Sequence, residues 1–241
     1  MMNRLKSVRC ASVVATLLLA GAANAQAQIS RVESKNAIGF NVGYFAVKGE
    51  DSRVDDDVLL ADLSSLAFDI DDFNGATFGG EYVLGIGRYF EAGFGVNYYQ
   101  RTVSSVYAEF VDSDGTEIAQ DLKLRIIPFS ATVRFLPIGR GGVEPYVGGG
   151  IGVFNWRYSE VGEFVDFDDG SIFRDRYIAD GTSVGPVVLG GIRFPVADAW
   201  SVGGELRYQK AEGKDLLDSG LLGDKIDLGG WSANFTFHIR F

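Results

Sequence analysis

The chain has 241 residues, a formal net charge of −10, 46% hydrophobic residues and a single cysteine. Its acidity argues against nucleic acid as a partner, because phosphate binding requires a basic surface. The length suits one β-barrel or one large β-sandwich, and no segment beyond residue 25 contains the roughly 18 consecutive apolar residues of a transmembrane helix.

The N-terminal residues have the three parts of a secretory signal peptide. Basic residues at the start precede an apolar stretch over 11–20, and Ala23-Asn24-Ala25 forms a small-x-small cleavage site. We expect cleavage after Ala25, with cleavage after Ala27 as the second choice. The predicted organisation is a signal peptide at 1–25, a short periplasmic leader at 26–35 and a barrel domain at 36–241.

The single cysteine, Cys10, lies inside this signal peptide. It follows Arg9 at the front of the apolar stretch, which is not the position that lipoprotein processing requires. Cleavage would leave about 215 residues without cysteine, and loss of three positive charges would take the net charge from −10 to about −13. We therefore expect no disulfide, no thiol catalysis, no cysteine-ligated metal and no cofactor.

Eight segments of the remaining sequence alternate in polarity with a period of two, which is typical of strands with two different faces. In the first, Ile38, Phe40 and Val42 share one face, and in the third Phe94 and Val96 alternate with glycine and asparagine. The predicted strands lie at about 37–48, 76–86, 91–102, 122–136, 145–158, 182–194, 200–210 and 231–241.

Two of these segments are irregular. The fourth changes parity, since Leu122 and Leu124 do not share the alternation of Phe129 and Val133. A β-bulge near Ile127-Pro128 would reconcile its two halves. The fifth has a glycine-rich middle that leaves its outward face undecided.

The last segment has the clearest alternation. From Trp231 to Phe241 every odd position is apolar and every even position is polar, over the length that a tilted strand needs to cross a bilayer. Its ending, FTFHIRF at 235–241, and the PYVGGGIG stretch at 145–152 resemble strands of the small Gram-negative outer-membrane β-barrels of the OmpA-barrel, OmpX and OmpW type. The resemblance covers essentially the whole chain after the signal peptide.

This resemblance implies an all-β fold, namely an eight-stranded antiparallel up-and-down transmembrane β-barrel. It also implies that Phe237, Ile239 and Phe241 at the C-terminus form an assembly signal. The partners that it implies are the barrel-assembly machinery and periplasmic chaperones during biogenesis, and afterwards outer-membrane lipid and lipopolysaccharide. We expect a monomer.

Alternation alone does not decide which face points outward, because a soluble lipocalin-like barrel that binds an apolar ligand would turn its apolar face inward. Aromatic residues at the segment ends, small residues on the polar face and the terminal phenylalanine favour the membrane barrel. The aromatic residues predicted near the loops are Tyr44, Tyr82, Tyr98, Tyr208 and Trp231. Those predicted near the turns are Phe135, Tyr146, Phe194, Trp200 and Phe241.

The connections between segments alternate in length. Outer-membrane barrels have long extracellular loops and short periplasmic turns, so we expect an outer-membrane protein with both termini periplasmic and four long loops outside. An apolar run at 58–61 in the first loop predicts a short amphipathic helix at the barrel mouth. The long connections lie at about 49–74, 103–121, 159–181 and 211–227, and the short ones at about 87–90, 137–143 and 195–199.

Charged residues on the polar face are candidates for the barrel interior. Eight strands enclose a space just wide enough for side chains, and both signs of charge occur, so we expect an internal hydrogen-bonded and salt-bridged plug. A narrow gated ion path is the alternative. The candidate residues are Glu81, Glu91, Arg134, Glu205, Arg207 and Arg240.

The loops and the single histidine offer weaker signals. Asp112-Ser113-Asp114-Gly115 resembles the start of a calcium loop but lacks the full ligand set, so solvated turn acids explain it better than divalent bridging to lipopolysaccharide phosphates. No Ser-His-acid arrangement is evident around His238, and we expect no enzyme and no metal site.

The predicted function is a structural and surface role, in envelope integrity and loop-mediated contacts. The alternative is a narrow channel or passive transporter for a small, apolar compound. In that case the apolar loop residues would line an opening at the mouth, together with Leu216, Leu217, Leu221 and Leu222.

Overall fold

The structure, a computed structural model, describes residues 36–166 and 168–241. The predicted signal peptide at 1–25 and leader at 26–35 lie outside the described residues. Within those described ranges, no helix is long and apolar enough to cross a membrane.

Eight antiparallel strands form a closed barrel, which confirms the predicted fold. The first and last barrel strands pair with each other, with Ile38 opposite Ile239 and Val42 opposite Phe235, so the sheet has no open edge. In chain order the strands are β1 (Asn36–Val47), β2 (Gly75–Ile86), β3 (Phe90–Val111), β4 (Glu117–Phe135), β5 (Glu144–Val165), β6 (Ile172–Ala197), β7 (Trp200–Gln209), β8 (Glu212–Lys214), β9 (Lys225–Asp227) and β10 (Gly230–Arg240). Strands β8 and β9 form a separate two-stranded sheet.

The apolar face of the barrel points outward. Phe40 and Phe235 are 53% and 56% exposed, whereas Asn234 and Thr236 between the outward residues of β10 are 6% and 3% exposed. In hydrocarbon this arrangement buries the apolar side chains and hides the polar ones, as a membrane barrel requires. The soluble lipocalin-like alternative, with its apolar face inward, is therefore excluded for these strands.

Aromatic side chains form a band on the outer surface at each end of the apolar region. Near the loops the rings of Tyr208 and Trp231 lie 4.9 Å apart, and near the turns those of Trp200 and Phe237 also lie 4.9 Å apart. Such bands mark the two interfaces between hydrocarbon and water.

Two aromatic residues are not where the sequence predicts them. Tyr82, predicted near the loops, lies 6.5 Å from the ring of Phe241 at the turn end, because β2 runs from the first loop toward the turn. Tyr146, predicted for the outer band, is 2% exposed and points into the barrel, while its neighbour Val147 faces outward. The glycines that follow Tyr146 carry no side chains, so the sequence did not show which residues of this strand face outward.

Four strands continue well beyond the apolar region. The predicted loops 103–121 and 159–181 are two long hairpins, formed by β3 with β4 and by β5 with β6. In the first hairpin Leu122 and Leu124 are buried inside and Lys123 is exposed outside. The outward polarity is inverted here because this part of the sheet stands in water rather than hydrocarbon.

The membrane-spanning segments are the parts of the strands with apolar outward side chains. From the outward apolar residues they cover about 37–46, 76–86, 90–99, 126–135, 145–155, 182–194, 200–209 and 231–240.

The bulge predicted near Ile127-Pro128 is wrong. Strand β4 keeps a single register with β5 from Gln120 to Phe135, and its register with β3 is the same on both sides of residues 127–128. The change of hydrophobic parity in β4 marks the level at which lipid gives way to water.

The first and fourth loops fold over the barrel mouth, and we term residues 48–74 and 210–229 the lid. The predicted amphipathic helix is confirmed as α1 (Val58–Asp62), whose Val58 and Leu59 are fully buried. The β8–β9 hairpin packs beside it. The backbone of Lys225 in β9 forms a parallel β-bridge with Asp57, the residue before α1.

Candidate functional site: the filled barrel interior

Charged side chains fill the part of the barrel nearest the turns, and we term them the lumen network. Arg134 lies at its centre and forms a two-point ion pair with Glu81, with Nη1 2.9 Å from Oε1. Nη2 of Arg134 also lies 3.6 Å from Oε2 of Glu205, which pairs with Arg207 at 2.9 Å. Nε2 of His238 is 2.9 Å from Oε1 of Glu81.

A second group of charges lies next to the first. Nη2 of Arg193 is 2.5 Å from Oε2 of Glu91, and Nε of Arg193 is 3.8 Å from Oε2 of Glu144. Arg240 reaches the same Glu144 oxygen at 2.6 Å, and Arg140 approaches Glu91 at 3.3 Å from the turn end. Each carboxylate therefore has two cationic neighbours.

Tyr146 joins the two groups. The guanidinium carbons of Arg134 and Arg193 lie 5.3 Å and 4.9 Å from its ring centroid, so both cations form cation–π interactions with the ring. Its hydroxyl donates a hydrogen bond of 3.0 Å to Oε2 of Glu205. The ring thus separates two like charges and satisfies an acid at the same time.

All six predicted interior charges lie in the lumen network, but sequence reasoning missed several of its members. Glu81, Arg134, Glu205 and Arg207 belong to the first group, and Glu91 and Arg240 belong to the second. Parity could have identified Arg193, which alternates with the outward Ile192. The missed members are Glu144, Arg193, Arg140, Tyr146 and, as a partner of Glu81, His238.

Above this network a belt of buried polar side chains, among them Asn97 and Gln209, is followed by an apolar interior. Side chains from the strands meet side chains from the lid in one buried cluster, which we term the mouth core. Burying one such side chain contributes roughly 1.5–3 kcal/mol, so the cluster holds the lid firmly in place. Its members include Tyr99, Leu122, Leu124, Ile126, Phe154, Trp156 and Tyr158 from the strands, and Val58, Leu59, Phe73, Leu216, Leu221, Ile226 and Leu228 from the lid.

Polar contacts fasten the two halves of the lid to each other. Both carboxylate oxygens of Asp57 lie 3.0 Å from guanidinium nitrogens of Arg53, and Oδ1 of Asp57 also caps α1 by accepting from the amide of Leu59. Oδ2 of Asp57 accepts a 2.6 Å hydrogen bond from the amide of Asp227. Lys48 pairs with the Asp227 carboxylate at 2.7 Å.

A pair of buried carboxyl groups lies where the lid meets β5, beyond the membrane-spanning segments. Asp62 at the end of α1 accepts a 2.7 Å hydrogen bond from the hydroxyl of Tyr158 and hydrogen bonds to the side chain of Glu160. Burial raises the pKa of Asp62 to about 7, with a smaller contribution from the nearby Asp57 carboxylate. Burial, followed by the charge of Asp62, raises the pKa of Glu160 to about 9. The closed lid therefore favours a protonated pair.

The comparison with known protein families decides the identity of this barrel. The profile of the outer membrane protein beta-barrel domain family matches residues 13–238. The chain belongs to this family. It is therefore an outer-membrane β-barrel protein. No curated protein sequence matches the chain significantly.

Solved structures of other outer-membrane proteins are similar at low sequence identity. Neisserial surface protein A is 14% identical, with 86% of this chain and 98% of that chain covered and a TM-score of 0.47. OprG from Pseudomonas aeruginosa is 12% identical, with 89% and 99% covered and a TM-score of 0.48. Ail of Yersinia pestis is 13% identical, with 87% and 100% covered and a TM-score of 0.41.

The proposed assembly residues of this outer-membrane barrel lie on its outer surface. Phe237 and Ile239 are half-buried on the outward face of β10, and Phe241 is 59% exposed just beyond it. All three are thus accessible to another protein from the lipid side at the turn end of the closing strand.

A serine, the histidine and a glutamate come together in the interior without the hydrogen bonds of a catalytic triad. Ser201 lies directly opposite His238 on β7, and Glu81 contacts the other side of the imidazole. Neither the Ser201 hydroxyl nor Nδ1 of His238 has a hydrogen-bond partner among the described residues, so no nucleophile–base contact is formed. Both side chains are fully buried, which leaves no access for a substrate.

The acids of the calcium-like sequence serve the turn of the β3–β4 hairpin. Oδ1 of Asp112 accepts from the amide of Ser113, and Oδ1 of Asp114 accepts from the amide of Thr116 at 2.9 Å. The Thr116 hydroxyl also donates to Oδ1 of Asp114 at 2.7 Å, and this bond, followed by the one from the Thr116 amide, lowers the pKa of Asp114. Across residues 36–166 and 168–241, no group of three or more His, Cys, Asp or Glu side chains is arranged to hold a metal ion.

The first prediction concerns the centre of the lumen network. Arg134→Gln removes the cation shared by Glu81 and Glu205 and leaves buried carboxylates uncompensated, which should lower the free energy of unfolding by about 3–5 kcal/mol. Denaturant unfolding in phospholipid vesicles measures this. Arg174→Gln is the matched control, since its 3.4 Å ion pair with Glu163 is exposed and should contribute little. An equally small loss for both variants would contradict the prediction.

The second prediction concerns the carboxyl pair under the lid. Since the pKa of Asp62 is about 7 in the closed lid and 3.8 for an ordinary aspartate, the closed lid binds protons more tightly than the open lid. Its stability is therefore complete below about pH 4 and declines as the pH rises toward about 9. Amide hydrogen exchange at residues 57–66, corrected for intrinsic pH dependence, should show opening at least about tenfold more frequent at about pH 8 than at about pH 5.

The double variant Asp62→Asn/Glu160→Gln should remove most of this pH dependence, because neutral isosteres keep the hydrogen-bonding shape without the charge. Asp72→Asn, at an exposed acid of the same lid, serves as the control and should leave the pH dependence unchanged. If the double variant opens with the same pH profile as the unmodified protein, the pair is not its origin.

Proposed function

We propose that the protein is a structural outer-membrane barrel with a closed interior, which contributes to envelope integrity and makes contacts through its long hairpins. The observation that carries the proposal is the continuous filling of the barrel. The lumen network occupies one part and the mouth core occupies the other. A cavity where they meet, lined by Tyr99, Ile126 and Arg207, measures only about 10 Å³. That volume is about the minimum for one water molecule.

Transport through the barrel would require both the lumen network and the mouth core to move. Leu216 and Leu221 are packed in the mouth core rather than lining an opening, while Leu217 and Leu222 face solvent at 56% and 59% exposure. An eight-stranded barrel has no spare width, so a path would also need the ion pairs of Arg134 to separate. For these reasons we favour the structural and surface role over a channel or passive transporter.

The proposal includes the orientation and the partners of the barrel. Both termini would face the periplasm and the long hairpins the outside, since the short turns and the long loops lie at opposite ends of the strands. The barrel would act as a monomer in outer-membrane lipid and lipopolysaccharide, after assembly with periplasmic chaperones and the barrel-assembly machinery. We expect no nucleic acid among its partners, because the chain is acidic.

Planar-bilayer recordings test the closed interior. The folded protein should add no steady conductance, because the paired charges and the lid block the axis. Glu205→Ala and Arg207→Ala, which alter the lumen network without opening the mouth core, should also remain closed. Steady conductance that changes in either variant would contradict the structural role and support an ion path.

Cysteine labelling of intact cells tests the orientation. Ser113→Cys at the tip of the β3–β4 hairpin should react with a membrane-impermeant maleimide, and Asp198→Cys in the short β6–β7 turn should not; both side chains are exposed. The reverse pattern would invert the proposed topology. Deletion of Phe241 in the Ser113→Cys protein should reduce labelling severalfold if the terminal residues act in assembly, and unchanged labelling would remove that role.

A further inference from the structure

Four basic side chains cluster on the outside of an otherwise acidic barrel, and we term them the basic cluster. Arg125 of β4 lies directly opposite Arg157 of β5, and Lys123 and Arg176 stand one and two rungs farther along the same outward face. Together with Gln100 and Ser159 they line a groove of about 180 Å³.

The cluster lacks an anionic partner within the protein. Like charges directly opposite each other on neighbouring strands destabilise a sheet, so the Arg125–Arg157 pair has a cost. None of the four cations forms an ion pair with a carboxylate in the described part of the chain, although Asp180 lies across from Arg157 on β6. Nε of Arg125 is buried and has no hydrogen-bond acceptor among the described residues. An external anion would offset the repulsion between the two guanidinium groups.

The position of the cluster is set by the apolar region below it. Arg125 is two residues beyond Ile127 and four beyond the lipid-facing Phe129, so it stands roughly 13 Å along the strand from a side chain in hydrocarbon. Arg157 has the same relation to Val153 on β5. At the loop end of the barrel, this is the level of the lipid headgroups.

A second observation on the same side of the barrel indicates the chemistry of the ligand. An apolar groove of about 700 Å³ crosses the lipid-facing surface of the first five strands, and its end at Phe129 and Val153 lies four residues along β4 and β5 from Arg125 and Arg157. Small residues, Gly80 and Ala131, leave room between larger side chains, and its walls include Phe94, Phe129 and Val153. A cationic site above an apolar groove complements a molecule with an anionic head and acyl chains.

We propose that the basic cluster binds a phosphate group of lipid A, the phosphorylated glycolipid anchor of lipopolysaccharide, with an acyl chain in the groove below. Arg125 and Arg157 hold the phosphate by charge-assisted hydrogen bonds, and Lys123, Arg176 and Ser159 complete its surroundings. This inference rests on the proposed orientation, which places the loop end in the outer leaflet. It makes the barrel a fixed contact point in the lipopolysaccharide layer.

The test measures lipid retained by the full-length folded protein. The protein is incorporated into phosphatidylcholine nanodiscs containing diphosphoryl lipid A, extracted into detergent and examined by native mass spectrometry. Arg125→Gln/Arg157→Gln should retain about tenfold less lipid A than the unmodified protein, because two charged hydrogen bonds are lost. Arg174→Gln/Lys210→Gln is the matched control, which removes the same charge outside the cluster and should retain lipid A within about twofold.

The remaining comparisons separate lipid A from other sources of the same anion. Heat-modifiable gel mobility verifies that each variant is folded. Equal retention by the two double variants, equal retention of dephosphorylated and diphosphoryl lipid A, equal retention of phosphatidylglycerol, or full displacement by inorganic phosphate would each overturn the proposal. Conductance and cysteine labelling measure the proposed function independently, so a failure of either leaves the lipid measurement interpretable.

Discussion

Closure of the sheet by the pairing of β1 with β10 is the constraint on which the other features depend. Hydrocarbon offers no hydrogen-bond partners, so a β-sheet can cross it only if no edge remains unpaired. With eight strands the closed ring is narrow, and the inward side chains must fit and satisfy one another. The density of paired charges around Arg134 and Arg193 follows from that confinement, since a charge without a partner would be costly there.

One part of the barrel is surrounded by hydrocarbon and the other by water, and the strands change composition at the boundary between them. Below the level of Ile127 the outward residues are apolar and the interior is charged, whereas above it Lys123 faces out and Leu122 and Leu124 face in. Strand β4 keeps one alternation of inward and outward side chains across this boundary, without a bulge. This inversion explains how one short membrane barrel can carry a water-facing extension with a conventional apolar core.

The two fillings of the barrel differ in what could open them. The lumen network is held by ion pairs inside a closed sheet, so its removal would require the strands to rearrange. The mouth core is held by loops, and its weakest point is a pair of acids, Asp62 and Glu160, that have no cation beside them in their hydrogen-bonded group. Movement of the protein in response to its surroundings is therefore expected in the lid and not in the lumen network.

The sequence by itself determined the barrel and the strand positions within the membrane, because alternation with a period of two is a local property of each strand. The outward direction of the apolar face followed from other features, namely the aromatic residues at the segment ends, the small residues of the polar face and the terminal phenylalanine. It also located the charges of the polar face, such as Arg134 and Glu205. Only the tertiary structure decided their partners, since Arg134 and Glu81 are 53 residues apart and pair through the closure of the ring. The lid, the inward Tyr146 and the basic cluster likewise depend on register between strands, which no single segment encodes.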